Sequence, residues 1–486
     1  MATKPSAAQI KAATAKIDPV AVTSAVINET PELAEPLLAR GAITKGVDEH
    51  GDKVYIVGND TNTIHNIGEY VMSYQPAQNA YLNALANRIG MTVITSKLYD
   101  SPWAMFKRGY LEFGETIEEI FVNLAKPFGY SPSKAEANVF KRQIPDVRAA
   151  FHRMDYQKYY KVTISNDQLR QAFLSWTGIS DLIARIVDSM YTAASTDEFY
   201  VMKYLLAKSL LNGYIQPVQI ANPIDKANAT DIATVFQAQS EKLRFQSTKF
   251  TMSGVTTHTD WEDQYLIMTA DFKSLMNMNV LATAFNVEYA ELMGRIVTVD
   301  SLVEHDWERL TELFTDPDTG EVDPDFTVFN EDQLTLLENV PAVMTSRDFW
   351  AIWDNFFTMT ELYNGEGLYW NYWYHTWKTF SISPFGQAVA YTSQAWSITG
   401  VTISPTTATV DKGQNVVFTA TVTGTGIINQ NVTYTISGQV SSGTTINPEN
   451  GTLHVAKDET ATSITVNAVS VGDPTKKGSA TVTVNA

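Results

Sequence analysis

Few side chains in this sequence stand at spacings that could do chemistry. His258 and Asp260, in THTDWED, lie close to Glu262 and Asp263. A metal ion bound there would need two or three further ligands, and none stands at a familiar spacing. A polar loop is the better reading. Asp316, Asp318, Gly320 and Asp323, in DPDTGEVD, approximate a calcium loop, but the Gly falls one place early, Pro317 intrudes and no closing Glu follows. That stretch reads as an exposed acidic turn. His375 stands among aromatics and reads as a satisfied core residue rather than a base. There is no G-x-S-x-G, no phosphate-cradling Gly-rich loop and no H-E-x-x-H. With no cysteine, thiolate metal sites, disulfides and a Cys nucleophile are excluded. Carboxylate pairs are plentiful, but none is singled out for glycosidase work. The residues read as those of a non-enzyme without cofactor or metal.

The bulk composition points the same way. A chain of 486 residues, 44% apolar and 18% charged, has material for two or three packed units. A formal charge of −18 disfavours sequence-independent binding to phosphate backbones. No apolar run is long enough to span a bilayer, and the N-terminus lacks the apolar core of a secretory signal. The expectation is a soluble chain that starts in the cytosol, with no membrane partner.

Order comes from a few elements. GLYWNYWYHTWKTFSISPFGQAVAY (367–391) is rich in aromatics, and polar and large residues alternate from Thr376 to Ser383. This predicts a central strand packed on both faces, with Trp370, Trp373, Trp377 and Phe380 in the core. Residues 1–65 predict a loosely tied arm with one hairpin around KVYIVG. Between 104 and 165 acid precedes base: Glu112, Glu115, Glu118 and Glu119, then Lys134, Lys141, Arg142, Arg148, Arg153, Lys158 and Lys161. Met154 to Ile164 alternates with period two and predicts a strand. The opposed charges fit pairing within one hairpin or between neighbouring chains, and equally a solvated surface.

Ile179–Asn212 carries apolar stripes at helical spacing, with Ser180 as N-cap, Gly213 as stop and a possible break at Ser195–Asp197. Residues 214–340 mix helix (Thr230–Phe245; a second opened by Asp271) with strand (Tyr265–Ala270, Arg295–Val299), so the fold class is α+β. Residues 341–395 return to aromatic-rich strand. From 398 to 486 Thr, Val, Ser, Gly and Asn dominate in short alternating runs, which predicts a β-sandwich.

Several stretches resemble the major capsid (head) proteins of phi29-type short-tailed phages. They are TIEEIFVNL (116–124), FKRQIPDVRAAFH (140–152), AFLSW (172–176), DEFYVMK (197–203), ADFKSLMNMNVLATAFN (270–286) and the aromatic stretch itself. The closing region resembles a bacterial Ig-like group 2 module. The resemblance implies the Johnson (Hong Kong 97-type) capsid fold. Residues 1–65 become the N-arm and 66–395 the capsid domain, in which 104–165 is an extended loop over a neighbour and 179–212 the spine helix. Residues 214–340 become the axial domain, 341–395 the return to the peripheral domain, and 398–486 an appended Ig-like domain. The terminal position and separate composition of that domain lead us to expect that shells assemble without it. Contacts between copies would then include Glu112, Glu115, Glu118, Glu119, Arg142, Arg148, Arg153, Tyr156, Lys158 and Tyr160.

The implied function is a structural major capsid protein, assembled in the bacterial cytoplasm into the icosahedral or elongated shell of a virion. Its partners would be further copies in pentamers and hexamers, scaffolding protein, portal protein and enclosed double-stranded DNA bound without sequence preference. A secreted or surface-attached binding protein (adhesin) with an Ig-like module is the main alternative, and a carbohydrate-active enzyme with an accessory Ig domain, prompted by ten Trp, is the second.

Overall fold

Pro19 and Pro31 each open a helix where composition predicts a loose arm. In the computed structural model, the described residues are 19–47, 53–74, 76–82, 84–85, 103–111, 116–125, 127, 129, 145–175, 178–179, 182, 188–222, 228–276 and 295–485. They divide between a first body (1–114, 154–200 and 353–379) and a second (115–153, 201–352 and 380–486).

In the first body, helices Pro19–Glu29 and Pro31–Ala39 lead into a hairpin, β1 (Ile43–Val47) with β2 (Lys53–Val57), and then helix Thr61–Ser73. Proline suits a first helical turn because its missing N–H has no partner there anyway. Val26, Ile27, Leu33, Leu37, Ile64 and Ile67 enter the same core as Trp370, Tyr372 and Tyr374. The described residues of 19–73 therefore pack into this core rather than forming a loosely tied arm. Alternating Ala, Thr and Pro hid this, because only the buried stripe is strongly apolar.

The sheet of this body runs β3 (Lys107–Tyr110), β11 (Trp350–Asn364), β12 (Tyr369–Ile382), β6 (Tyr156–Ser165), so the aromatic strand is internal, as its composition predicts. Its even-numbered residues from Trp370 to Lys378 are all buried. The opposite face is covered only in part. Trp373, beneath the Lys161 ammonium (5.5 Å), and Trp377, against Phe356 (4.7 Å), are half-buried, while Phe380 is buried in the second body. Of the expected long helix, Asp188–Thr192 is a π turn and Ala193–Leu211 is α-helical without a break. Residues 180–181 and 183–187 lie outside the described residues. Ser195–Asp197 does not interrupt it, because the Asp197 carboxylate accepts from the Tyr160 hydroxyl (2.6 Å) instead of competing for backbone N–H groups.

Glu361, on β11, has both carboxylate oxygens buried without a hydrogen-bond partner. Burial lifts its carboxyl from the usual 4.5 to about 7. The folded chain thus holds a proton that the unfolded chain releases earlier, so stability should fall as pH rises from about 4.5 through about 7, then level off. Discounted for partial solvent screening, the loss is about 1–2 kcal/mol. Urea unfolding at pH 5 and pH 8 should show it, and Glu361→Gln should flatten the difference. An unchanged difference in the variant would clear Glu361 of the effect.

The second body holds a mixed five-stranded sheet in the order β7 (Gln216–Gln219), β13 (Ala388–Thr392), β10 (Ala342–Ser346), β8 (Gln264–Thr269), β9 (Ile296–Val299). Its outer pairs are parallel and its inner ones antiparallel. Helices Ala229–Leu243 and Ala270–Leu275 cover one side, with the Phe236 ring 4.2 Å from that of Tyr391. From β14 (Ser397–Ser404) to β22 (Lys477–Asn485) the described residues form strands only, in sheets of two, four and three, around Phe418, Leu453, Ile464, Val466 and Val482. These strands are not loosely tethered. Asn431 Nδ2 donates to the Tyr214 carbonyl (3.0 Å), Gln430 N to the Gly213 carbonyl (2.8 Å) and Asn429 Nδ2 to Gln216 Oε1 (3.1 Å).

Candidate assembly surface

Within the second body, β4 (Thr116–Val122) and β5 (Val147–Arg153) form an antiparallel hairpin with Thr116 opposite Arg153 and Val122 opposite Val147. Alternation along each strand gives the hairpin two faces. Ile117, Glu119 and Phe121, with Arg148 and His152, make the inner one. Phe121 stacks on Phe385 with centroids 5.4 Å apart. His152 places one ring nitrogen 2.8 Å from Ser381 Oγ and the other 3.2 Å from Glu119. Arg148 donates to the Ser253 carbonyl, and Thr256 N donates to Asn123 Oδ1 (3.3 Å).

The outer face carries Glu118, Ile120 and Val122 from β4, Val147, Ala149 and Phe151 from β5, and Leu124 just beyond. Ile120 is 58% exposed and Phe151 63%. Isolated exposed apolar groups are ordinary, but a contiguous set on one sheet face marks a surface built for contact.

The ten residues implied as contacts between copies are not gathered on this face. Glu112, Glu115 and Arg142 lie outside the described residues. Glu118 and Arg153 are exposed, Glu118 opposite Phe151. Glu119 and Arg148 are engaged inward, as above. Tyr156 and Tyr160, on β6 in the first body, share a hydrogen bond (2.8 Å), and the Tyr160 phenol, pushed far up by burial, donates onward to Asp197. Lys158 is half-buried on the same strand. A charged or aromatic group flanking an apolar strand is as easily drawn inward by one buried acceptor as left outside. Opposed charge along the chain therefore does not say which groups turn outward, whereas the apolar residues at 120 and 122 and at 147, 149 and 151 follow the exposed face.

The chemical candidates occupy ordinary roles. Asp316 Oδ1 accepts from the N–H groups of Asp318 (2.8 Å) and Thr319 (3.2 Å), which closes the acidic turn. His258 Nδ1 is 3.0 Å from Gln246 Nε2, and the His375 ring lies 5.7 Å from that of Tyr159. Among the described residues no three metal-ligating side chains converge, and no helix is long and apolar enough to cross a membrane.

A family model described as "Phi29-like phage major capsid protein" matches residues 41–392. The major capsid protein of Bacillus phage B103 is 31% identical over 413 residues, 84% of each chain. That of Bacillus phage PZA is 30% identical over 411 residues, again 84% of each. A solved capsid structure of Staphylococcus phage Andhra aligns at 18% identity with a TM-score of 0.45, over 58% of this chain and 81% of that one, a likeness too weak to bear on the argument. An internal aromatic strand, a long helix and an outward apolar hairpin thus sit on a sequence that matches one family over most of its length. The chain belongs to the phi29-like phage major capsid proteins, the structural subunits of the virion capsid.

Proposed function

We propose that copies of this chain join through the outer face of the β4–β5 hairpin and close into the shell of a tailed phage. The observation that carries this is the hairpin's asymmetry. One face is fixed to its own chain by a stacked ring pair and several hydrogen bonds, while the other presents contiguous Ile, Val, Leu and Phe to solvent. A single chain can cover only the first face, and the second calls for a neighbour.

In this reading the chain has the Johnson-type fold. The four-stranded sheet and long helix serve as the peripheral domain, the five-stranded sheet as the core of the axial domain, and the closing strands as an Ig-like sandwich. Pentamers and hexamers, built with scaffolding and portal proteins, enclose double-stranded DNA. The charge of −18 supports a wall that does not hold packaged DNA by its phosphates. Electron microscopy of the purified chain tests the reading. Shells or ring-shaped capsomers are expected, and single particles of one chain at high concentration would overturn it.

A further inference from the structure

We infer that the C-terminal strand domain clamps the assembly hairpin onto its own chain through Glu449 and Arg148, and so governs how the outer face is presented. The inference rests on reading that face as the contact between copies. Its core is a buried guanidinium. The Arg148 side chain is 5% exposed, and besides the Ser253 carbonyl its partners are two carboxylates, Asp146 (3.3 Å), on the approach to its own strand, and Glu449 (3.8 Å), from the C-terminal domain. A buried cation needs compensating negative charge, and Asp146 alone is 43% exposed and well screened.

Glu449 is held where the clamp requires it. It lies in the turn between β19 (Thr445–Ile446) and β20 (Thr452–His454), and Asn447 Oδ1 accepts from the N–H groups of Glu449 (2.9 Å) and Asn450 (3.2 Å). Phe418 N donates to the Gly451 carbonyl (3.0 Å) and Tyr434 N to the Pro448 carbonyl (2.9 Å), which fixes both ends of the turn to the domain core. Gly451 has φ +68°, and a Cβ there would stand 2.2 Å from the Phe418 carbonyl oxygen, so only glycine lets the turn lie this close. The turn cannot follow the hairpin by bending. The domain also lies close against the loop that receives Arg148, since a Cβ on Gly254 would be 2.8 Å from Thr433 Oγ1. Hairpin, receiving loop and C-terminal turn meet at one guanidinium. Partial burial raises the Glu449 carboxyl, and the nearby Arg148 guanidinium pulls it down without reversing that rise, to which Asp146 also adds.

The test is deuterium uptake by the unassembled full chain, compared with Glu449→Ala and Glu449→Gln. These variants keep the C-terminal domain in place and leave Arg148 covered but short of charge. Amides in 117–122 and 147–153 should lose protection at least tenfold in both, while strands β21 (Ser463–Ser470) and β22 keep theirs. Unchanged protection in the hairpin would overturn the clamp. So would a loss in β21 and β22, which would mean that Glu449 serves its own domain's fold. Because single chains are measured, the result stands or falls whether or not shells form.

Discussion

Replacing both Ile120 and Phe151 with aspartate is expected to abolish shell formation while leaving the chain folded. Both side chains are more than half exposed, so the fold should change by no more than about 0.5 kcal/mol. At a contact between copies the balance is different. Each position forgoes about 2 kcal/mol of apolar burial and adds the cost of desolvating a carboxylate. Even with partial relief, the pair should weaken each contact by about 5 kcal/mol, more than a thousandfold. A shell repeats the contact in every copy, so the loss should read as absence rather than reduction. The measurement is electron microscopy and sizing of the variant, with circular dichroism and thermal melting as controls for the fold. Glu118→Gln, on the rim of the same face, should assemble normally, since exposed rim charges contribute little. Intact shells from the double aspartate variant would move the contact elsewhere on the molecule.

The sequence made some of this legible and hid the rest for physical reasons. Strand β12 announces itself because aromatics and alternation outlast any local competitor, and the helix Ala193–Leu211 because a long stripe at helical spacing has no other use. The strands β8 and β9 and the helix Ala229–Leu243 were legible to within two residues, with polar and glycine punctuation on either side. The packing of the described residues in 19–73 was not. It depends on a core whose other half arrives some three hundred residues later, at Trp370 to Tyr374, and local composition carries no trace of that. The two faces of the hairpin were half legible. Its strands alternate clearly, but which face a strand turns inward is decided by what lies beneath it. Here that is Phe385, Ser381 and Ser253, none of which the hairpin sequence reveals. A surface-binding role rested on the Ig-like resemblance of the closing strands and a carbohydrate-active role on the ten Trp, and the family match favours neither.

Four charges inside the first body give the second large expected effect. Lys107 on β3, Glu198 on the long helix, Asp354 on β11 and Lys378 on β12 form a closed set. Lys107 Nζ lies 2.8 Å from Asp354 and 2.9 Å from Glu198, while Lys378 contacts Glu198 and lies 3.8 Å from Asp354. The Lys378 and Glu198 side chains are each 1% exposed, so neither can recover water if its partner is removed. The set sums to zero charge, which is what makes its burial tolerable. Glu198→Ala should therefore cost about 3–5 kcal/mol, because two ammonium groups are left with one carboxylate. Lys378→Met should cost a similar amount by leaving two carboxylates with one cation. The double variant should cost much less than the two together, since it leaves the 2.8 Å Lys107–Asp354 pair intact and balanced. Urea unfolding of the four chains closes the cycle, and raising the salt should change the result little, because the charges are buried. The network has no energetic meaning as a unit if the single costs simply add.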